Sequence, residues 1–329
     1  MADYYPWIIF NVFVLILLIF DLYISKGKIY KFKSALIWSL SWISISMLVA
    51  LWFFIEDGSL MTNNERGVSF LAGYIAEKAL CFDNLFVFII IFEFFKIPAK
   101  LQSLALTYGI MGALVTRAIF IALGSIILAN FSWVMLIMGI FLIYTGIKIA
   151  LVEENDSNPE NNLFFKIANK FMKVSQEFDG AKFRTNINGV KKFTPMFLVV
   201  IVLASTDIVF AVDSIPTIFG ITQDVFIVWT SNMMAVIGMR PLYFLLQEIK
   251  DKFRFLKYGL SLILVFIGLK MSSTYLIHWV GEMINNKALS DFHINTFVSL
   301  GIIVGVVAGS IIISNVIPEK DELKIKKSN

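Results

Sequence analysis

Nine apolar stretches dominate the sequence, at 7–25, 35–55, 68–93, 103–128, 132–151, 194–219, 224–247, 257–278 and 295–317. Each is about 20 residues long, the length at which a helix crosses a hydrocarbon core of roughly 30 Å. No soluble core of this size absorbs so much apolar surface. Of the residues, 58% are hydrophobic and only 16% are charged, against roughly 25% charged in a soluble domain. A membrane barrel is excluded, because its strands alternate apolar and polar residues over about ten positions. The expected fold class is an all-α membrane protein with about nine spanning helices, one polytopic domain over 1–329.

Composition also removes several functions. The net charge of +4 comes from short basic clusters between apolar runs, which argues against nucleic acid as a partner. Cys81 is the only cysteine, so no internal disulfide forms, and with His278 and His293 as the only histidines there is no Cys/His metal cage. The first run lacks the basic leader of a signal peptide, since Asp3 precedes it and Lys26, Lys28, Lys31 and Lys33 follow it. It is read as a retained span with its N-terminus outside.

That orientation satisfies the positive-inside rule. Of the 28 Lys and Arg residues, 21 fall in loops or the tail on the inner side. Arg66 and Lys287 fall outside, and Lys78, Arg117, Lys148, Arg240 and Lys270 lie within spans. The C-terminus is then cytoplasmic. The long inner loop, 153–193, contains Leu163, Phe164, Ile167, Phe171 and Val174 at helical spacing, with Lys166, Lys170 and Lys173 opposite. An amphipathic helix on the bilayer surface fits this pattern, and so does an ordinary helix packed on the bundle.

The chain also repeats itself. The third span reads Glu77, five residues, Asp83-Asn84, and the sixth reads Asp207, five residues, Asp213-Ser214. Arg117 in the fourth span corresponds to Arg240 in the seventh, and Gly146-Ile147-Lys148 corresponds to Gly268-Leu269-Lys270. The units are 68–151 and 194–278, with 295–317 as a last span outside the repeat. Three spans is an odd number, so the second unit enters the membrane inverted, an architecture that places a substrate site at the midplane between the halves. Gly301, Gly305 and Gly309 give the last span a small-residue face suited to close helix packing.

Glu77, Asp83, Asp207 and Asp213 lie deep within spans. A carboxylate there costs about 3 kcal/mol on insertion scales, so it binds an ion, carries a proton or pairs with a cation. Pairing with Lys78, Arg117 and Arg240 would neutralise three of the four, yet it leaves the duplicated motif unexplained. Glu77 and Asn84 share a helix face, as do Asp207 and Ser214, while the second acid of each motif points about a third of a turn away. Pro216 removes the donor to the Val212 carbonyl and is expected to kink its span and free an oxygen. An oxygen ligand set suits Mg2+, Ca2+ and Mn2+. Cys81 adds a soft atom or simply packs. Asn232 adds an oxygen or makes an interhelical hydrogen bond, and Lys148 snorkels to the surface.

The motifs Glu77–Phe88, Ser205–Pro216, Thr230–Asn232 and Gly268–Lys270 resemble the TerC/Alx family of integral membrane proteins, relatives of the LysE-type exporters. The resemblance extends over nearly the whole chain, with Cys81 standing where a serine is expected. It implies a multi-pass protein of the bacterial inner (plasma) membrane that exports divalent metal, chiefly manganese. It places metal ligands at Glu77, Asp83, Asn84, Asp207, Asp213 and Ser214, supported by Arg117, Arg240, Asn232 and Lys270. No enzymatic activity and no resident cofactor are expected. The partners are the metal ion and the bilayer, and protons are the natural counter-ions. Three rivals remain: an accessory protein that aids metalation or membrane insertion, a LysE-like amino-acid exporter, and an intramembrane aspartyl protease built on Asp83 and Asp213. The last lacks the Gly-x-Gly-Asp signature, since Phe82 precedes Asp83 and Ala211-Val212 precede Asp213.

Overall fold

The computed structural model describes residues 4–25, 30–55, 63–151, 175, 178–187, 190–249, 255–284, 286 and 295–316; the side chains of Asp83 and Asp213 are outside that description. The elements are α1 (Tyr5–Ser25), α2 (Phe32–Ile55), α3 (Asn63–Phe94), α4 (Ala99–Asn130), α5 (Val134–Leu151), β1 (Arg184–Ile187), β2 (Val190–Phe193), α6 (Pro195–Ile221), α7 (Val225–Val236), α8 (Met239–Ile249), α9 (Leu256–Met283) and α10 (Thr296–Val316). The protein is a multi-pass, all-helical membrane protein, with one small hairpin between α5 and α6. Among the described residues seven helices are long and apolar enough to cross a bilayer, or eight when the bent pair α7–α8 is one span.

Nine spans were expected from the sequence, and α3 accounts for the difference. It has 32 residues, about 48 Å at the rise of an α-helix. Every 18-residue stretch of it holds at least three charged residues, drawn from Glu65, Arg66, Glu77, Lys78, Asp83 and Glu93. This most charged of the long helices also packs against the most neighbours, α2, α6, α7, α8, α9 and α10. Polarity inside and apolar surface outside is the arrangement that lipid requires. Ile8, Val12, Leu15 and Ile19 of α1 and Val115, Ile119, Leu123 and Ile126 of α4 are exposed.

The segment 224–247 was read as one continuous span and is in fact broken. Its two helices meet at a bend of 48°. Pro241 explains the position, because it has no N–H for the carbonyl of Ile237 and its ring collides with that carbonyl in a helix. The first helix accordingly ends at Val236, and Gly238 carries the chain round at φ +83°. A side chain there would run into Trp42, whose Cβ is 2.7 Å from the position of an added Cβ. Asp224 caps the other end of α7, accepting from the backbone N–H groups of Phe226 (2.9 Å) and Ile227 (3.2 Å). By contrast α6 runs unbroken through Pro216.

Helices α5 and α9 make the broadest contact of the molecule, and they pass each other backbone to backbone. A Cβ on Gly139 would lie 2.8 Å from the Gly268 carbonyl oxygen, and a Cβ on Gly268 would lie 2.6 Å from that of Gly139. One end of the same seam brings Gly146 to Ser261, whose hydroxyl donates to the Gly146 carbonyl at 2.6 Å. The two helices therefore run antiparallel. The glycines of the last span behave differently, since nothing lies within 4 Å of an added Cβ at Gly301, Gly305 or Gly309. Their small-residue face is not packed against the described part of this chain.

The loop before α6 contains the antiparallel hairpin β1–β2, with Arg184 opposite Phe193. It is tied down by the ring of Phe183, which lies 5.0 Å from Tyr108 of α4 and 5.9 Å from Phe197 of α6. Asp179 accepts from Thr185 at 2.9 Å and from Lys182 at 3.2 Å. Those bonds, Thr185 foremost, hold its carboxyl below the usual carboxylate range. The expected amphipathic helix at 163–174 and the basic tail after 316 lie outside the described residues.

Introducing a methyl-bearing side chain at the α5–α9 seam will overpack it. Gly139→Val and Gly268→Val should each cost about 1–3 kcal/mol in thermal unfolding of the detergent-solubilised protein. Gly301→Val and Gly305→Val should stay within roughly 0.5 kcal/mol of wild type.

Candidate functional site

The most deeply buried charges among the described residues meet at one turn of α4. Arg117 is wholly buried, and its Nη1 pairs with Oε1 of Glu77, itself wholly buried on α3. The same nitrogen donates to Oδ1 of Asn232 on α7 at 2.6 Å. A guanidinium has only donors, so it is the amide oxygen of Asn232 that faces it. The residue before, Thr116, donates to Oδ2 of Asp207 on α6 at 2.9 Å. Arg117 lies within electrostatic reach of Asp207 as well. One helical turn thus bridges an acid from α3 and an acid from α6, the equivalent members of the two sequence motifs.

The bridge leaves oxygens over. Among the described residues Glu77 Oε2 and Asp207 Oδ1 are buried without a hydrogen-bond donor, and Ser214 Oγ, two turns further along α6, is buried without a partner. Buried polar atoms of this kind are few in native structures, and each calls for a reason. Cys81 Sγ lies 3.9 Å from Glu77 Oε1, so the only thiol borders the acid from within the apolar core it shares with Leu85 and Phe88. Asn84 is buried with its Nδ2 unpartnered. Asp83 and Asp213 follow Glu77 and Asp207 by six residues on the same helices, about 9 Å along each axis, and their side chains lie outside the described residues. Among the described residues no three His, Cys, Asp or Glu side chains gather as a metal cage.

Among the described residues the other in-span cations form no ion pair with these acids, although Lys78 lies within electrostatic reach of Glu77. Lys78 donates to the carbonyl of Ala235 at 2.9 Å, and Lys270 reaches the carbonyl of Ile221 at 3.4 Å. Both carbonyls belong to last turns, those of α7 and α6, where orphan acceptors and the negative end of the helix dipole favour a cation. Lys270 therefore serves a helix end and not the acids. Arg240 pairs with Asp21 of α1 at 3.4 Å and donates to Thr107 of α4 at 2.6 Å. Sequence reasoning missed Asp21, although a lone acid inside the first apolar run was signal enough. Lys148 is exposed, as expected of a snorkelling residue.

Three comparisons bear on this chain. The family model described as "Integral membrane protein TerC family" matches residues 62–322. A protein of Photorhabdus laumondii named "Putative membrane-bound redox modulator Alx" is 42% identical over 271 residues, covering 80% of this chain and 85% of that one. Its namesake in Escherichia coli K12 is 37% identical over 314 residues, covering 94% of this chain and 93% of the relative. An uncharacterized membrane protein of Myxococcus xanthus is 38% identical over 310 residues, 94% of this chain and 91% of its own. No solved structure matches the chain.

Removing one partner of a buried pair leaves the other charge uncompensated, at about 3–5 kcal/mol. Glu77→Gln and Arg117→Met should each destabilise the detergent-solubilised protein by that order in thermal unfolding. The double variant should lose clearly less than the sum of the two, the signature of direct coupling.

Proposed function

The chain belongs to the TerC family of integral membrane proteins, and from that premise we propose that it is a secondary transporter exporting divalent cations, Mn2+ first among them, in exchange for protons. The observation that carries the reading is the pair of acids Glu77 and Asp207, which come from equivalent helices, converge on Thr116-Arg117, and keep one buried oxygen each with no donor among the described residues. Hard oxygen atoms with no hydrogen-bond donor are what a dehydrating divalent ion seeks. Glu77, Asp83 and Asn84 on α3 and Asp207, Asp213 and Ser214 on α6 form the ligand set. Asn232 and Arg117 hold it, while Arg240 fixes α1 and Lys270 fixes the end of α6.

The inverted repeat belongs to the same reading, with α3–α5 as one unit and α6–α9 as the other. Its support is a correspondence of contacts. Exchanging the units turns the approach of Gly146 to Ser261 into the approach of Gly268 to Gly139, and both are observed. Packing of α3 on α7 is matched by packing of α6 on α4. With α3 and the bent pair each counted as one crossing, the spans number nine, the N-terminus lies outside and the C-terminus is cytoplasmic. That sidedness rests on the distribution of Lys and Arg. The carboxylates take protons on one side and the metal on the other, which makes the protein a carrier and not an enzyme. The relationship to LysE-type exporters follows from the same architecture.

The relatives' name offers a second reading, redox modulation. Cys81 is the only thiol in the chain and is buried against Glu77, so this chain performs no dithiol chemistry by itself. Under the transport reading, an effect on redox state follows from control of a redox-active metal.

Inside-out vesicles carrying the protein should accumulate Mn2+ in a pH-gradient-dependent manner, faster than Mg2+, Ca2+ or Zn2+. Asp83→Asn and Asp213→Asn should each reduce that flux at least tenfold, an effect on the order of 1.4 kcal/mol. Undiminished flux in both would remove these acids from the path, and Mn2+ movement without proton movement would remove the exchange.

A further inference from the structure

We propose that Arg117 is a tethered counter-cation, a positioning residue that competes with the transported ion and passes between Glu77 and Asp207 as the ion leaves and enters. The inference rests on the transport reading and deepens it.

The pairing of Arg117 is lopsided. A guanidinium built to lock a carboxylate uses two parallel N–H groups on two oxygens. Here Nη1 alone serves both Glu77 Oε1 and Asn232 Oδ1, while Nε and Nη2 are buried with no acceptor among the described residues. Asp207, held to Thr116 by its Oδ2, keeps Oδ1 with no donor among them. Spare donors on the arginine and a spare acceptor on the second acid lie on adjoining parts of the same cluster. Rotation about the side-chain torsions of Arg117 gives those donors an alternative partner without breaking a helix.

The charges supply the reason for such a move. A divalent ion and a guanidinium cannot share Glu77 in a water-poor interior, because their mutual repulsion is poorly screened there. An ion that takes Glu77 Oε1 must displace Arg117. The displaced guanidinium cannot leave the site, since it is anchored on α4 and wholly buried, so Asp207 is its available counter-charge. When the ion departs, Arg117 returns and no pair of carboxylates is left bare in the membrane. Lys78 cannot take this part, because its ammonium is held by the carbonyl of Ala235. At each stage Arg117 compensates one of Glu77 and Asp207, and the ion is held by the other together with the remaining motif ligands of α3 and α6.

The test is Mn2+ binding to the full chain in lipid nanodiscs, read by electron paramagnetic resonance, with Mn2+ flux into proteoliposomes measured in parallel. Arg117→Gln should bind Mn2+ about tenfold more tightly than wild type and transport it more slowly, because the competing charge that expels the ion is gone. Arg117→Lys keeps a cation but loses the forked donors, and should fall between the two in both measurements. It also serves where Arg117→Gln does not fold. Unchanged or weaker Mn2+ affinity in the folded variants overturns the inference, since an arginine that merely braces the site gives that result. Wild-type protein that binds no Mn2+ at all overturns the transport reading itself.

Discussion

A single buried ion pair, Glu77 with Arg117, sets the terms for the rest of the molecule. Two charges in a bilayer interior are tolerated only when they face each other and are shielded from lipid on every side. The shielding determines the layout. Helix α3, which carries Glu77, is surrounded by α2, α6, α7, α8, α9 and α10. Arg117 reaches it from α4, and Asn232 joins from α7. The outer helices α1 and α10 can then be largely apolar, with Asp21 as the one acid between them.

Cations elsewhere in the spans follow the same physics with different partners. Lys78 and Lys270 go to the carbonyl ends of α7 and α6, and Arg240 ties the peripheral α1 to α4 and α8 through Asp21 and Thr107. Each satisfies backbone or side-chain acceptors that lipid could not serve. These residues stabilise the bundle, and by occupying other partners they leave Arg117 as the cation next to both motif acids. Arg117 and Arg240 hold matching places in the sequence, yet only one reaches the acid motifs. The proposed repeat is thus closer in its backbone seam, at Gly139–Gly268 and Gly146–Ser261, than in the described partners of its arginines.

Much of this was legible in the sequence because hydropathy and charge act locally. The helices sit where the apolar runs lie, and the acid motifs fall on α3 and α6. What escaped depended on partners distant in sequence or on backbone detail. The bend at Gly238 needed Pro241 to be read against the carbonyl of Ile237, four residues before it. In the sequence Asn188-Gly189 is a signal for a two-residue hairpin connection, inside a loop read only for its charge and its helical spacing. Which cation meets which acid could not be seen from spacing, since Glu77 and Arg117 are 40 residues apart and Arg240 and Asp21 are 219 apart. The glycine face of α10 was visible, but whether it would be packed was not.

The central claim is that one divalent ion sits between the two motif helices. The direct measurement is the position of Mn2+, located by anomalous scattering in crystals of the lipid-embedded protein grown with the metal. The account predicts one Mn2+ with carboxylate oxygens from both α3 and α6 within about 2.6 Å. Mn2+ held by one helix alone, or only at the molecular surface, would contradict it.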